Sequence, residues 1–92
     1  MDEIDTYRSL IAELDEQIAE LIATRLETAE IIGRLKKEAG LPIVNKDVEK
    51  KVIDRYRGYG QDKGVDPDLM ERIARELIDA AVKREKEVTE GS

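Results

Sequence analysis

The chain contains no histidine, cysteine, tryptophan or phenylalanine among its 92 residues. Without imidazole or thiol it has no ordinary general base near neutral pH, no thiolate nucleophile and no usual zinc ligand set. Any catalysis must run through Arg, Lys, Asp, Glu and amide groups. The missing cysteines also exclude a disulfide framework, and the missing large aromatics exclude an aromatic sandwich core. No apolar run approaches the ~18 residues of a membrane span, and the N-terminus lacks the basic-then-apolar order of a signal peptide, so a cytoplasmic protein that binds no membrane is expected. The net charge of -6 gives a field of the wrong sign for nucleic acid or anionic lipid, although a small anion can still be captured locally.

Charged residues, by contrast, make up 41% of the chain, and long helices are the architecture that carries them most cheaply. The length suits a single domain over residues 1–92. Breaks at Gly40-Leu41-Pro42 and from Gly58-Tyr59-Gly60 to Pro67 divide it into three helices, expected at about 4–38, 46–57 and 67–86. The first carries Ile4, Tyr7, Ile11, Leu14, Ile18, Leu21, Ile32 and Leu35 at alternating three- and four-residue steps. It would run roughly 50 Å, and two shorter helices cannot cover such a stripe end to end. A second copy is the natural cover, so an all-α intertwined homodimer is expected. Asn45 is a good N-cap for the second helix; Asp66 followed by Pro67 opens the third, which passes into a polar run from Lys83 to Ser92 whose last few residues are expected to fray.

Several charges fall where the pattern calls for hydrophobes. Arg25 and Thr28 interrupt the stripe of the first helix, and Lys36, eleven residues after Arg25, projects from almost the same face at ~16 Å along the axis. Both cations either reach solvent and pair with neighbours such as Glu27 and Glu38, or face an interior that then requires an anion. Arg8, a lone cation in an acidic stretch, is either a solvated helix charge or a ligand group; lying ~25 Å from Arg25, it can share a ligand with it only if an antiparallel partner helix brings it across. Asn45 and Glu49 are four apart on one face, placed either for capping and first-turn charge or for holding a hydroxyl group. Glu85 continues the four-residue steps of Ala74, Ile78 and Ala81, either as a surface glutamate or as part of the buried stripe.

Taken in order, Arg8 before Leu14-Asp15, Arg25, Ile32-Gly33 with Lys36, the Gly-Leu-Pro-Ile turn and the helix start from Asn45 to Glu49 resemble the all-helical class of chorismate mutases over essentially the whole chain. The resemblance implies conversion of chorismate to prephenate, on the route to phenylalanine and tyrosine, with no metal and no cofactor. It implies an intertwined dimer in which Arg8 of one subunit and Arg25 of the other bind the two substrate carboxylates. Lys36 would hydrogen-bond the ether oxygen, Glu49 and Asn45 would hold the ring hydroxyl, and Ile32, Val52, Ile78 and Val82 would wall the ring. Glu85 stands where many members have Gln and some Glu; because an ionised carboxylate cannot donate to the ether oxygen, it is expected to act protonated.

Three positions depart from the family pattern. Asn45 replaces a common Asp, keeping an acceptor and losing charge; Ala81 replaces a frequent Ser and loses a hydroxyl contact to a carboxylate; Val48 stands where an Arg usually precedes Glu49. Two other functions remain open on these residues: an isochorismate pyruvate-lyase of similar fold, and a non-catalytic helical dimerisation or regulatory module.

Overall fold

Asp2 opens the first helix by accepting a hydrogen bond from the Asp5 backbone N–H at 2.9 Å, with Glu3 and Asp5 placed favourably against the positive helix end. In the computed structural model, which describes residues 2–90, this helix, α1, runs from Glu3 to Ala39. Gly40 ends it in the left-handed region at φ 69°, and Leu41 N–H closes back on Lys36 O at 2.8 Å. Helix α2 spans Lys46–Lys63 and helix α3 spans Pro67–Glu90. The described residues form no strand, so the protein is all-α with three helices.

Asn45 caps α2, its Oδ1 accepting from the N–H groups of Asp47 and Val48, and Asp66 Oδ1 accepts from Asp68 N–H with Pro67 in the first helical position. Two boundaries differ from the sequence expectation. Helix α2 does not stop near Arg57 but continues through Gly58-Tyr59-Gly60 to Lys63, and Gly64 at φ 72° is the actual stop. Gly60 is a packing glycine: a Cβ there would lie 2.6 Å from Val65 O and 3.2 Å from Pro67 Cα, so its bareness lets α3 turn back closely against α2. Helix α3 likewise passes the expected end near Lys86 and stays ordered to Glu90. Its last turns are tied down by Thr89, which is buried and whose carbonyl accepts from Lys37 Nζ at 2.7 Å. The rest of the expected frayed end, Gly91 and Ser92, lies outside the described residues.

Helix α3 packs against both other helices, and α1 does not pack against α2. Arg25 donates to Leu77 O, Glu30 accepts from Arg84 and Lys37 donates to Thr89 O; the paired positions advance together, so α3 runs in the same sense as the second half of α1. The first half of α1 has no cover within the chain. Ile4, Leu14, Ile18 and Leu21 are about half exposed or more, and among the described residues no large side chain is fully buried. The chain measures 57 × 28 × 14 Å with a radius of gyration of 16.6 Å, against about 12 Å for a compact chain of this length. Its accessible surface is 7084 Å², against about 5,400 Å² for a compact monomer of its mass. No described helix is long and apolar enough to cross a membrane.

Candidate active site

A cavity of about 350 Å³ opens where the second half of α1, the start of α2 and the second half of α3 converge. Its walls are mostly aliphatic, with Ile32 from α1, Val48 and Val52 from α2, and Ile78, Ala81 and Val82 from α3. Arg25, Lys36, Asn45, Glu49 and Glu85 line the same space, which is the pattern of a small-molecule site with a few convergent polar groups in an apolar setting. Ten of the eleven site residues expected from sequence are therefore together: Arg25, Ile32, Lys36, Asn45, Glu49, Val52, Ile78, Ala81, Val82 and Glu85.

The exception is Arg8. It lies near the far end of α1, its side chain 75% exposed, with an Asp5 carboxylate at 3.7 Å. Within one chain it does not reach the cavity.

Lys36 turns inward and pairs with neither Glu27 nor Glu38. Its Nζ donates to Ile43 O at 2.8 Å and to Glu85 Oε1 at 3.1 Å, so the ammonium is fixed from two sides. Glu85 is only 5% exposed, which sets aside the surface-glutamate alternative. A paired carboxylate at this depth keeps the cavity polar at one point while its stem lies among aliphatic groups.

Arg25 is half-buried and donates from Nη1 to Leu77 O at 3.4 Å, and it forms no ion pair among the described residues. Its positive charge is oriented by a neutral carbonyl and left uncompensated, which suits it to a carboxylate ligand. Glu49 Oε1 accepts from Lys46 Nζ at 3.4 Å beside the cavity. Asn45 caps α2 and lines the cavity at once. Because its Oδ1 already accepts from two backbone N–H groups, its amide NH₂ is the group left to meet a ligand.

Four lining elements escaped the sequence reasoning as site residues, among them Val48, noted only as standing in place of an Arg. Thr28 was noted only as an interruption of the stripe, and Ala29 gave no signal beyond its position one turn from Arg25 and Ile32. The Ile43 carbonyl is a backbone group, signalled only by the Gly-Leu-Pro-Ile turn that returns it toward Lys36.

Residues 7–86 match the family described as chorismate mutase type II. The chain belongs to this family. As a type II chorismate mutase family member it is similar to the chorismate mutase of Methanocaldococcus jannaschii, 30% identical over 79 residues that cover 86% of this chain and 80% of that protein. It is also similar to the bifunctional chorismate mutase/prephenate dehydratase of Aquifex aeolicus, 31% identical over 91 residues, 96% of this chain and 25% of the relative. The T-protein of Haemophilus influenzae is 31% identical over 78 residues, 85% of this chain and 21% of that protein. The chain thus spans about a fifth of the length of the T-proteins it matches. The family fold is helical, in keeping with the three helices here.

Proposed function

We propose that the chain catalyses the rearrangement of chorismate to prephenate. In this reaction the ether C–O bond breaks as a C–C bond forms within the same molecule, and negative charge grows on the ether oxygen. No nucleophile or metal is required, which accords with a chain that lacks histidine and cysteine. Catalysis then consists of holding a flexible dianion in its reactive shape and stabilising the charge that develops.

The observation that carries the reading is the placement of Lys36 and Arg25 on one apolar cavity, the first held by Ile43 O and Glu85, the second without a carboxylate partner. Arg25 binds one substrate carboxylate. Lys36 donates to the ether oxygen. Glu85, acting as the neutral acid, donates to the same oxygen from the other side. The Asn45 amide and Glu49 hold the ring hydroxyl, and Ile32, Val52, Ile78 and Val82 press on the ring faces, while Ala81 leaves room beside a carboxylate.

The second carboxylate requires Arg8 of a second copy. An antiparallel α1 from that copy covers the exposed half of this one and carries its Arg8 over the cavity. The surface in excess of a compact monomer, about 1,700 Å² per chain, is of the size an obligate homodimer buries, which supports an intertwined dimer with two intersubunit sites.

The test is the loss of chorismate absorbance with purified protein, repeated with Arg25→Ala. Turnover by the wild type and a fall of about 100-fold or more in the variant, with helical circular dichroism unchanged, is the expected result. An unchanged rate would place the site elsewhere, and pyruvate release from isochorismate supplied alone would replace the mutase by a lyase.

A further inference from the structure

A glycine inside a helix lowers helix stability, and Gly33 sits well inside the 37-residue α1 without a positive φ to justify it. Its surroundings supply the reason. A Cβ at this position would lie 2.9 Å from both Cβ and Cγ of Glu85 and 3.1 Å from its Cα. Nowhere could such an atom fit unless α3 retreated or Glu85 left its place, because the obstacles are the root of a side chain and the backbone itself. Gly33 and Glu85 are both buried, so α1 and α3 make a close approach about one helical turn before Lys36.

The flanking bonds keep α3 at that depth. On one side the Arg84 guanidinium pairs with Glu30; on the other, Lys37 Nζ donates to Thr89 O at 2.7 Å, and Thr89 Oγ1 donates to Glu85 O at 2.8 Å. With its stem pressed on bare α1 backbone, Glu85 extends into the cavity, where Oε1 meets Lys36 Nζ at 3.1 Å.

We propose that Gly33 is a positioning residue for Glu85: the side chain it lacks lets α3 approach until the Glu85 carboxyl stands beside the Lys36 ammonium in the cavity. The inference rests on the reading that Glu85 acts on the ether oxygen. Gly33 itself touches no substrate and acts through Glu85 alone.

Gly33→Ala tests it, with kcat and KM for chorismate measured separately and again in a Glu85→Ala background. The expected result is a fall in kcat of about 100-fold, as an ångström of misplacement gives, with KM changed less than about threefold because Arg25 lies about two helical turns from Gly33 along α1. In the Glu85→Ala background Gly33→Ala takes nothing further from kcat, although its contact with the residual Cβ persists and still lowers Tm. A folded Gly33→Ala with wild-type kcat, or the same loss of kcat in both backgrounds, overturns the proposal and leaves Gly33 as packing alone. Should Gly33→Ala fail to fold, Lys37→Met loosens the same turn of α3 from the exposed side; a fall in kcat of a few-fold, absent in the Glu85→Ala background, supports the proposal, and an equal fall in both overturns it. If the wild type does not turn over chorismate, the mutase reading fails by itself. The positioning claim is then judged on a crystal structure of Gly33→Ala, where a Lys36 to Glu85 separation beyond about 4 Å supports it and an intact pair overturns it.

Discussion

Lys36 Nζ stands 3.1 Å from Glu85 Oε1 and 2.8 Å from Ile43 O, so one ammonium ties α1 to α3 and to the turn before α2. Removing it therefore affects both folding and chemistry. Lys36→Ala leaves a buried carboxylate and a carbonyl without their donor, a destabilisation of about 1–3 kcal/mol, and removes the group proposed to donate to the ether oxygen. Urea unfolding should show the first effect and the loss of chorismate absorbance a turnover reduced by at least about 100-fold.

The proposed role of Glu85 as a donor gives a second, separable outcome. If the working form is the neutral acid, kcat declines as pH rises through its ionisation in the substrate complex, and Glu85→Gln, which always donates and never ionises, removes that decline. Rate profiles from about pH 5 to 8 for both proteins check this. Identical flat profiles would take Glu85 out of the reaction.

Arg8 and Arg25 are far apart along α1, which makes subunit mixing decisive. Arg8→Ala and Arg25→Ala are each expected to be nearly inactive as homodimers. In the proposed intersubunit arrangement, a heterodimer of the two has one cavity with both arginines lost and one with both intact. Unfolding and refolding an equimolar mixture should therefore restore about a quarter of wild-type activity, from half the dimers carrying one working site each. No recovery above the separate variants would mean that both arginines serve one chain's own cavity, or that Arg8 serves none.

The long α1 and the shared face of Arg25 and Lys36 were legible because each rests on helical periodicity or on a residue that breaks it, whereas Glu85 joined them only through the family resemblance. The end of α2 was not, because Gly58 and Gly60 look alike in sequence while only their tertiary setting separates a tolerated glycine from a required one. The Ile43 carbonyl was hidden for a related reason: backbone acceptors carry no residue signature, and the Gly-Leu-Pro-Ile turn announces a reversal without saying which carbonyl it offers to Lys36. Nor does sequence reveal that Asn45 spends its oxygen on capping, which leaves only its amide for a ligand.

The two glycines of α2 are expected to respond in opposite directions. An alanine Cβ at Gly58 meets nothing within 4 Å, so Gly58→Ala removes the entropic cost of a helical glycine and stabilises by about 0.5–1 kcal/mol. At Gly60 the same atom strikes the Val65 carbonyl, which is backbone and cannot swing aside, so Gly60→Ala destabilises by about 1–3 kcal/mol. Denaturant midpoints of the two variants check the pair, and equal shifts would contradict the packing described for the α2 to α3 turn.

Near that turn, Glu71 accepts from Arg75 Nε at 2.9 Å and from Arg57 Nη1 at 3.1 Å, while Arg57 also reaches Asp68 at 2.8 Å. The hydrogen bond from Arg75, followed by its charge and by Arg57, holds the Glu71 carboxyl below the usual carboxylate range against an opposing effect of desolvation. Because the folded value lies below the unfolded one, the stabilisation is complete above the unfolded carboxylate pKa and is lost as pH falls through the lower, folded value. Glu71→Gln should accordingly lower Tm at neutral pH, and the gap to wild type should close as acid protonates Glu71 in the native protein. Added salt should narrow the gap at neutral pH as well, since the cluster is partly exposed and screened. A gap that stayed constant down through the acid range would mean that Glu71 contributes through packing of its stem and not through its charge.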